Sequence, residues 1–275
     1  MPQPSKTHLV VIPTYNTGLR VVDTVRKAAE MWNPVWIVID GSTDGSAEKL
    51  NDLAKEIEHI RVLSIEKNSG KGNAILLGAR EAAAQGFTHL LAMDADGQHP
   101  ADQIKPFMAC SVDNPEALIL GQPLFGTDAP RIRVHGRKLC NFWVNVETLW
   151  AGINDSLFGL RIYPVPDLVS IMETTRFARR FDFDPEAAVR LSWRGLPTIN
   201  IPCPVIYFTE EEGGVSQFRY LRDNKLLTFM HFRLLGGFLL RLPMLILRRI
   251  GILKKKQLIP DHPRLKAPFV CAPQF

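Results

Sequence analysis

The sequence predicts an α/β fold, a doubly wound and mostly parallel sheet carrying a C-terminal amphipathic helical appendage. Three observations carry that prediction. Short continuous apolar runs alternate with segments of helical period through the first half, and polar, mostly glycine-containing clusters follow four of those runs. Beyond Gly213-Gly214 the composition shifts to apolar plus basic. Runs that are apolar throughout suit strands buried on both faces, and intervening helices of about 10–15 residues supply the crossovers of βαβ units.

Taken in order, residues 8–13 (HLVVIP) form a β-branched run ended by Pro13. Residues 18–32 then place Val21, Val22, Val25, Ala28, Ala29 and Trp32 at helical spacing. Val35–Asp40 (VWIVID) reads as a second buried strand and 46–57 as a helix. Residues 60–65 read as strand, 71–84 as helix, 89–93 as strand and 117–120 as a further short strand. The second half is less regular: helix over 137–150, short strand over 158–163, helix over 185–194 and strand over 198–206. Gly236-Gly237 is expected to break the apolar-basic stretch into two helices, and residues 260–275, with four prolines, to form an extended tail.

The chain has 275 residues, 46% hydrophobic and 22% charged. That composition excludes disordered and fibrous classes and allows a core without disulfide or metal staples. The net charge of +5 is unevenly placed: residues 218–256 hold ten Lys or Arg and one acid, Asp223. Such asymmetry points to an anionic partner, a membrane surface or nucleic acid. Few aromatics interleave the basic residues as a base-stacking platform requires, which argues against nucleic acid. The apolar runs there are cut by Arg233, Arg241 and Arg248, so a helix lying in an anionic interface is expected, not a span. The alternative is a helix packed on the domain or on a partner. Four scattered cysteines without a C-x-x-C pair suit a reducing compartment, and the polar N-terminus lacks a signal-peptide pattern. A cytoplasmic protein, peripheral to the inner face of the membrane, is expected.

In parallel sheets ligands bind beyond the C-terminal ends of the strands, so the polar clusters there carry the chemistry. Asp94 and Asp96, one residue apart, suit a hard divalent cation, because Mg²⁺ and Mn²⁺ take oxygen ligands and share others with a phosphate. Gln98 adds an oxygen and His99 a nitrogen; read as structure alone, the segment is a polar Asp-Gly turn. Asp40 suits either a hydrogen bond from a base or ribose, or a cap for the following helix. Gly70-Lys71-Gly72 can bring backbone amides and a cation to a phosphate, or form a solvated turn; it lacks the Walker A spacing.

In sequence, VVIPTYN, DGSTDGS, NSGKGNA and MDADGQHP resemble glycosyltransferase family 2. The nearest branch is that of the dolichyl-phosphate mannose synthases, which carry a similar MDAD-x-QHP segment. The ordered motifs cover about residues 8–100, and weaker resemblance runs through Phe158-Gly159-Leu160-Arg161 and 181–195 to 214–223. The resemblance implies an A-type glycosyltransferase fold over residues 1–213, with 214–275 as the membrane-interfacial appendage. It implies an inverting transfer from a UDP- or GDP-sugar to a lipid-linked acceptor such as a polyprenyl phosphate, with Mg²⁺ or Mn²⁺ as cofactor. Pro13, Tyr15, Asn16 and Asp40 would line the nucleoside pocket, with Lys71 near base and ribose. Asp94, Ala95 and Asp96 would meet the donor diphosphate, with Asp94, Asp96 and Gln98 on the metal. One departure is Ile39, where the family often has an aspartate.

An inverting displacement on a hydroxyl needs a general base. Candidates are Asp182, Asp184 and Glu186; Pro185 at the first helical turn would make Asp184 the N-cap. By spacing to Arg190, Asp184 resembles the family's catalytic aspartate, and Glu186 matches its position in the polyprenyl-phosphate branch. A lipid phosphate is already ionised near pH 7, in which case the carboxylates position instead. Ser216, Arg219 and Arg222 are candidate clamps on the donor diphosphate, a solvated basic helix face being the bland alternative; Asp155 and Arg161 remain polar residues without a specified role. Two other functions stand beside this reading. A sugar-phosphate nucleotidyltransferase expects a glycine-rich N-terminal signature, whereas residues 10–20 hold Gly18 alone. A non-catalytic anion- or membrane-binding module would have had no need of intact Asp94, Asp96 and Lys71.

Overall fold

The computed structural model describes residues 2–125, 131–206, 208 and 220–252. Seven strands form one sheet: β1 His8–Thr14, β2 Val35–Asp40, β3 Ile60–Ile65, β4 His89–Ala92, β5 Leu118–Leu124, β6 Arg161–Pro164 and β7 Thr198–Pro204. Their order is β3-β2-β1-β4-β6-β5-β7. All pairs are parallel except those of β6, which runs antiparallel to β4 and β5. Strand order reverses between β1 and β4, the switch point at which an open α/β sheet leaves a crevice.

Alternation along each strand divides the core between two faces. Leu9, Val11, Trp36 and Val38 pack on one side with α3 (Lys71–Ala84), α6 (Val165–Glu173) and α7 (Phe183–Arg194). Val10, Ile12, Ile37 and Ile39 pack on the other with α1 (Arg20–Met31), α2 (Ser46–Glu56) and α4 (Ile104–Asp113). Every residue of β1 and β2 is buried, which is why these strands read as unbroken apolar runs. Gly78 lets α3 close on β1: a Cβ there would stand 2.9 Å from Val11 Cγ1.

Several expectations are corrected. Helix α7 begins at Phe183, so Pro185 lies within its first turn and Asp182, not Asp184, takes the N-cap position. Helices α4 and α6 had no counterpart in the sequence reading. The expected break at Gly236-Gly237 does not occur: α8 runs unbroken from Tyr220 to Arg249, through Pro243. Gly237 is instead a packing site, since a Cβ there would lie 2.9 Å from the Trp193 ring. By length and composition alone, Leu221–Arg249 is apolar enough to cross a membrane (mean hydropathy 1.4), its sparse arginines notwithstanding. One face of it is nevertheless built into the protein: Met230, Leu234, Phe238 and Leu245 are buried. Arg248 also donates to the Trp193 carbonyl, and His231 pairs with Glu147 at the end of α5 (Arg131–Glu147). The Gly213-Gly214 boundary and the proline-bearing tail lie outside the described residues.

Candidate active site

The loops after β1, β2, β3 and β4 are stitched together at the C-terminal edge of the sheet. Asn16, at a φ of 46°, donates its N–H to Ser42 Oγ (3.2 Å) and accepts the Thr43 N–H on Oδ1 (2.8 Å). Asp44 accepts the Gly18 N–H at 2.7 Å and the Ser46 hydroxyl at 2.5 Å, joining the first loop to the start of α2. Burial acts against the Asp44 charge, but the hydrogen bonds from Ser46 and Gly18 together prevail and lower its pKa.

Asp40 ties the second loop to the third. Its carboxylate accepts the N–H groups of Ser69 (2.8 Å) and Gly70 (2.6 Å), the Ser69 hydroxyl (2.9 Å) and the Asn68 amide (3.2 Å). With these bonds Asp40 positions the backbone that opens α3. Gly70 and Gly72 are required there. Gly70 has a φ of 101°, and a Cβ on either glycine would overlap the 178–183 segment. The Gly72 N–H donates to the Arg179 carbonyl at 2.9 Å, locking that segment onto the helix start.

Lys71 is the centre of the site. Its ammonium is 2.6 Å from Asp94 Oδ1 and 2.6 Å from Asp184 Oδ2, so two carboxylates far apart in the chain meet on one cation. Burial opposes the charge on Lys71, but Asp184 and Asp94 outweigh it and raise its pKa above the ordinary lysine range. Lys71, expected near base and ribose, bridges two carboxylates in this structure. Asp94 Oδ2 takes a second bond from His99 Nε2 at 3.3 Å. Burial pushes the Asp94 carboxyl up, yet Lys71 and His99 hold it well below the usual carboxylate range. Gly159 lies against this carboxylate, and a Cβ there would overlap Asp94 Oδ2.

Asp96 shows the opposite shift: burial, and then the charge of Asp94, raises its pKa. Its Oδ1 accepts the Gln98 N–H at 3.0 Å. Two carboxylates crowded so that one resists ionisation leave negative charge that a divalent cation would relieve. His99 Nδ1, on the other side of the ring from Asp94, is buried without a hydrogen-bond partner. Among the described residues no third Asp, Glu, His or Cys completes a metal cluster. The donor set therefore fits a hard ion that draws its remaining ligands from a phosphate or water.

Asp184, expected to cap α7, is turned inward. Oδ1 accepts the Tyr163 hydroxyl at 3.2 Å, and the Arg161 guanidinium donates to the Asp184 carbonyl at 3.0 Å. Arg161 and Tyr163 share one face of β6, two residues apart, and both are fully buried. Burial, reinforced by the Asp184 charge, pushes the Tyr163 phenol well above its ordinary range, so it stays a hydrogen-bond donor. Tyr163 was missed in the sequence; its i,i+2 relation to Arg161 was the available signal. Asp182 accepts the Arg180 N–H at 3.1 Å and is raised in pKa by burial. Glu186 is fully buried, bound by Arg190 (2.8 Å) and Arg233 (2.5 Å). Two positions along a helix is about 200° around it, so Glu186 faces away from Asp184.

Of the remaining candidates, Pro13 is buried in β1 opposite Val38, and Tyr15 is half-buried just beyond the strand. Ala95 is buried, its carbonyl accepting the Thr24 hydroxyl at 3.3 Å. Asp155 pairs with Arg137 at 2.6 Å and accepts the N–H groups of Leu157 and Phe158, a turn-building role. Arg222 is paired with its neighbour Asp223 at 2.8 Å. Ser216 and Arg219 lie outside the described residues.

Comparison with known proteins agrees with this architecture. The polyprenol monophosphomannose synthase of Mycolicibacterium smegmatis is 28% identical over 78% of this chain and 82% of its own length. The undecaprenyl-phosphate mannosyltransferase of Micrococcus luteus is 27% identical over 76% of this chain and 86% of its own. Among solved structures, a Pyrobaculum calidifontis mannosyltransferase in complex with GDP-Man and Mn²⁺ superposes with a TM-score of 0.56 at 16% identity. That match spans 85% of this chain and 65% of the other, and shows a shared A-type glycosyltransferase fold. The family model for glycosyl transferase family 2 matches residues 9–178, more than half the chain and the loops after β1, β2, β3 and β4, ending before Asp184. The chain is thus a glycosyltransferase, and it belongs to glycosyl transferase family 2.

Proposed function

We propose that this enzyme transfers a sugar from a UDP- or GDP-sugar to a polyprenyl phosphate, with inversion at the anomeric carbon. The observation that carries the reading is the convergence of Asp94, Asp96, Lys71 and Asp184 at the sheet edge, beside amide-rich loops. The two relatives named for polyprenyl-phosphate mannosyl transfer support the acceptor. The neighbour holding GDP-Man and Mn²⁺ supports the donor class.

In this reading Asp94 and Asp96 hold Mg²⁺ or Mn²⁺, with Gln98 as an added oxygen. Such an ion, when bound, supplies charge neutralisation for a departing nucleotide diphosphate. Lys71 fixes the Asp94 carboxylate and ties it to Asp184. Asp184 in turn is fixed by Tyr163 and Arg161. An acceptor phosphate oxygen attacks the anomeric carbon and the diphosphate leaves from the opposite face. Because that phosphate is already ionised near pH 7, no proton has to be removed, and Asp184 serves as a positioning residue. Asp182 and Glu186, held in their own networks, support α7. The exposed apolar residues of α8, with Leu240 84% and Phe232 71% exposed, support peripheral association with the inner face of the membrane.

The test is release of nucleotide diphosphate from a panel of UDP- and GDP-sugars, with Mn²⁺ or Mg²⁺, with and without polyprenyl phosphate. Asp96→Ala is expected to lower metal-dependent, lipid-stimulated release at least about 10²-fold, as loss of a key transition-state electrostatic group does. Absence of turnover together with absence of UDP or GDP binding in the presence of metal would overturn the reading.

A further inference from the structure

Away from the sheet edge, a cavity of 790 Å³ opens between α7, α8 and the segment after α6. Its walls carry five arginines: Arg176, Arg179, Arg190, Arg233 and Arg241. None of Asp94, Asp96, Lys71 or Asp184 lines it. Glu186, on the opposite side of α7 from Asp184, lies behind this lining and pairs with Arg190 and Arg233.

Charge in this cavity is not balanced. Glu186 neutralises part of Arg190 and Arg233, and Glu173 at the rim is paired with Arg80 at 3.1 Å. Among the described residues Arg176, Arg179 and Arg241 make no ion pair. Arg179 spends one nitrogen on the Met172 and Thr175 carbonyls, and Arg241 donates to the Gly237 carbonyl at 3.0 Å. Two guanidinium nitrogens, Arg179 Nη1 and Arg233 Nε, are buried with no hydrogen-bond partner. Buried charged donors left unpaired are costly, and planar N–H forks match the oxygens of a phosphate.

The surroundings add an apolar element. Phe177 lies under Arg233 at 4.2 Å and against Phe229 at 5.7 Å, and Trp193 lies under Arg241 at 4.9 Å. Phe229, Arg233, Gly237 and Arg241 succeed one another at i,i+4 along α8, so the half-exposed Phe229 ring continues the cavity wall. Beside that row run Phe232, Leu239 and Leu240, all exposed.

We infer that this arginine cavity is a second anion site, which receives the phosphate of an anionic lipid headgroup while the adjoining Phe and Leu ridge meets the acyl region. An orphaned cationic pocket bordered by exposed apolar side chains matches the two ends of an amphiphile. The assignment is independent of the proposed transfer reaction, since it concerns residues outside the donor site. Free phosphate shares the headgroup's chemistry and is separated from it by the experiment.

Sedimentation of the full chain with phosphatidylglycerol-containing vesicles and with pure phosphatidylcholine vesicles, at fixed ionic strength, tests it. The Arg176→Gln/Arg241→Gln double variant is compared with a charge-matched control on α8, Lys225→Gln/Arg249→Gln. Neither cavity substitution strands a carboxylate, and thermal melting checks that both variants remain folded. The cavity variant is expected to lose about tenfold in affinity for the anionic vesicles, the control about twofold or less, and acceptor turnover in detergent to stay unchanged in both. Calorimetric binding of inorganic phosphate that the cavity variant abolishes, without vesicle binding, would keep the site and assign it free phosphate. Equal losses in both variants would reduce the effect to diffuse charge and overturn the site. So would loss of acceptor turnover with vesicle binding intact, or wild type that binds neither vesicles nor phosphate.

Discussion

Lys71 and Gly159 hold the same carboxylate in different ways. Lys71 supplies charge: without it the Asp94 carboxylate and the buried Asp184 would face each other as anions. Gly159 supplies room, because only a hydrogen fits beside Asp94 Oδ2. Gly159→Ala is therefore expected to swing the Asp94 carboxylate off Lys71 and His99 while leaving the core unchanged. The expected outcome is a loss of about 10²-fold in metal-dependent turnover, the scale associated with misplacing a reacting group by about an ångström. Stability should fall by about 1–3 kcal/mol, the usual cost of overpacking a buried position, as urea unfolding would check. If turnover survives the substitution, the Asp94 position is not what the reaction depends on.

Two adjacent glycines on α8 make a matched experiment at the scale of one element. Gly236 has open space where a Cβ would stand, whereas a Cβ on Gly237 would crowd Trp193 at 2.9 and 3.2 Å. Gly236→Ala gains helix propensity and should stabilise by about 0.5–1 kcal/mol. Gly237→Ala gains the same propensity but overpacks a helix contact, and should destabilise by about 1–2 kcal/mol. Opposite shifts in the urea midpoint would establish that α8 is seated on α7 through Gly237; equal gains would mean that the contact is loose. The paired substitutions also explain why the sequence suggested a break. Two glycines read as helix breakers when their neighbours are unknown, and one of them is there for the indole.

Across the whole molecule, two histidine sites tie distant elements and titrate in opposite directions. His231 joins α8 to α5 through Glu147 (2.9 Å) and Cys140 (3.3 Å). Burial disfavours its charge, but those two hydrogen bonds prevail and raise its pKa to about 9. A raised folded-state value means that its contribution is full below about 6.5, the unfolded value, and is lost as pH rises through about 9. His8, on β1, stacks on His89 of β4 at 4.4 Å and bonds Ser111 of α4. Burial, and then His89, lowers its pKa to about 4. Here the contribution is full above about 6.5 and is lost as pH falls towards 4. Unfolding free energy should accordingly drop on both flanks. His231→Gln should flatten the alkaline flank and His8→Gln the acid flank, each by of order 2 kcal/mol. Unfolding curves collected from pH 4 to 10 would check the signs.

Much of the first half was legible because its strands are buried on both faces: the interiors of β1 and β2 had to be apolar, and their polar residues, His8, Thr14 and Asp40, fall at the strand ends. The same constraint made Asp94, Asp96, Lys71 and Asp40 conspicuous. The second half was less legible because its roles depend on which face a side chain takes. Asp184 and Glu186 look interchangeable in sequence, yet the helix sends one to Lys71 and the other to Arg233. Asp40 shows the same limit, for nothing local says that its oxygens are met by the 68–70 backbone. By itself, then, the sequence determined the strands of the sheet, the edge where its polar loops gather and the acidic pair on it, since periodicity and strand ends are local properties. Only the tertiary structure decided which carboxylates share Lys71, what Gly237 is for and where uncompensated arginines gather. Those are matters of contact between segments far apart in the chain, where distance and burial fix the electrostatics.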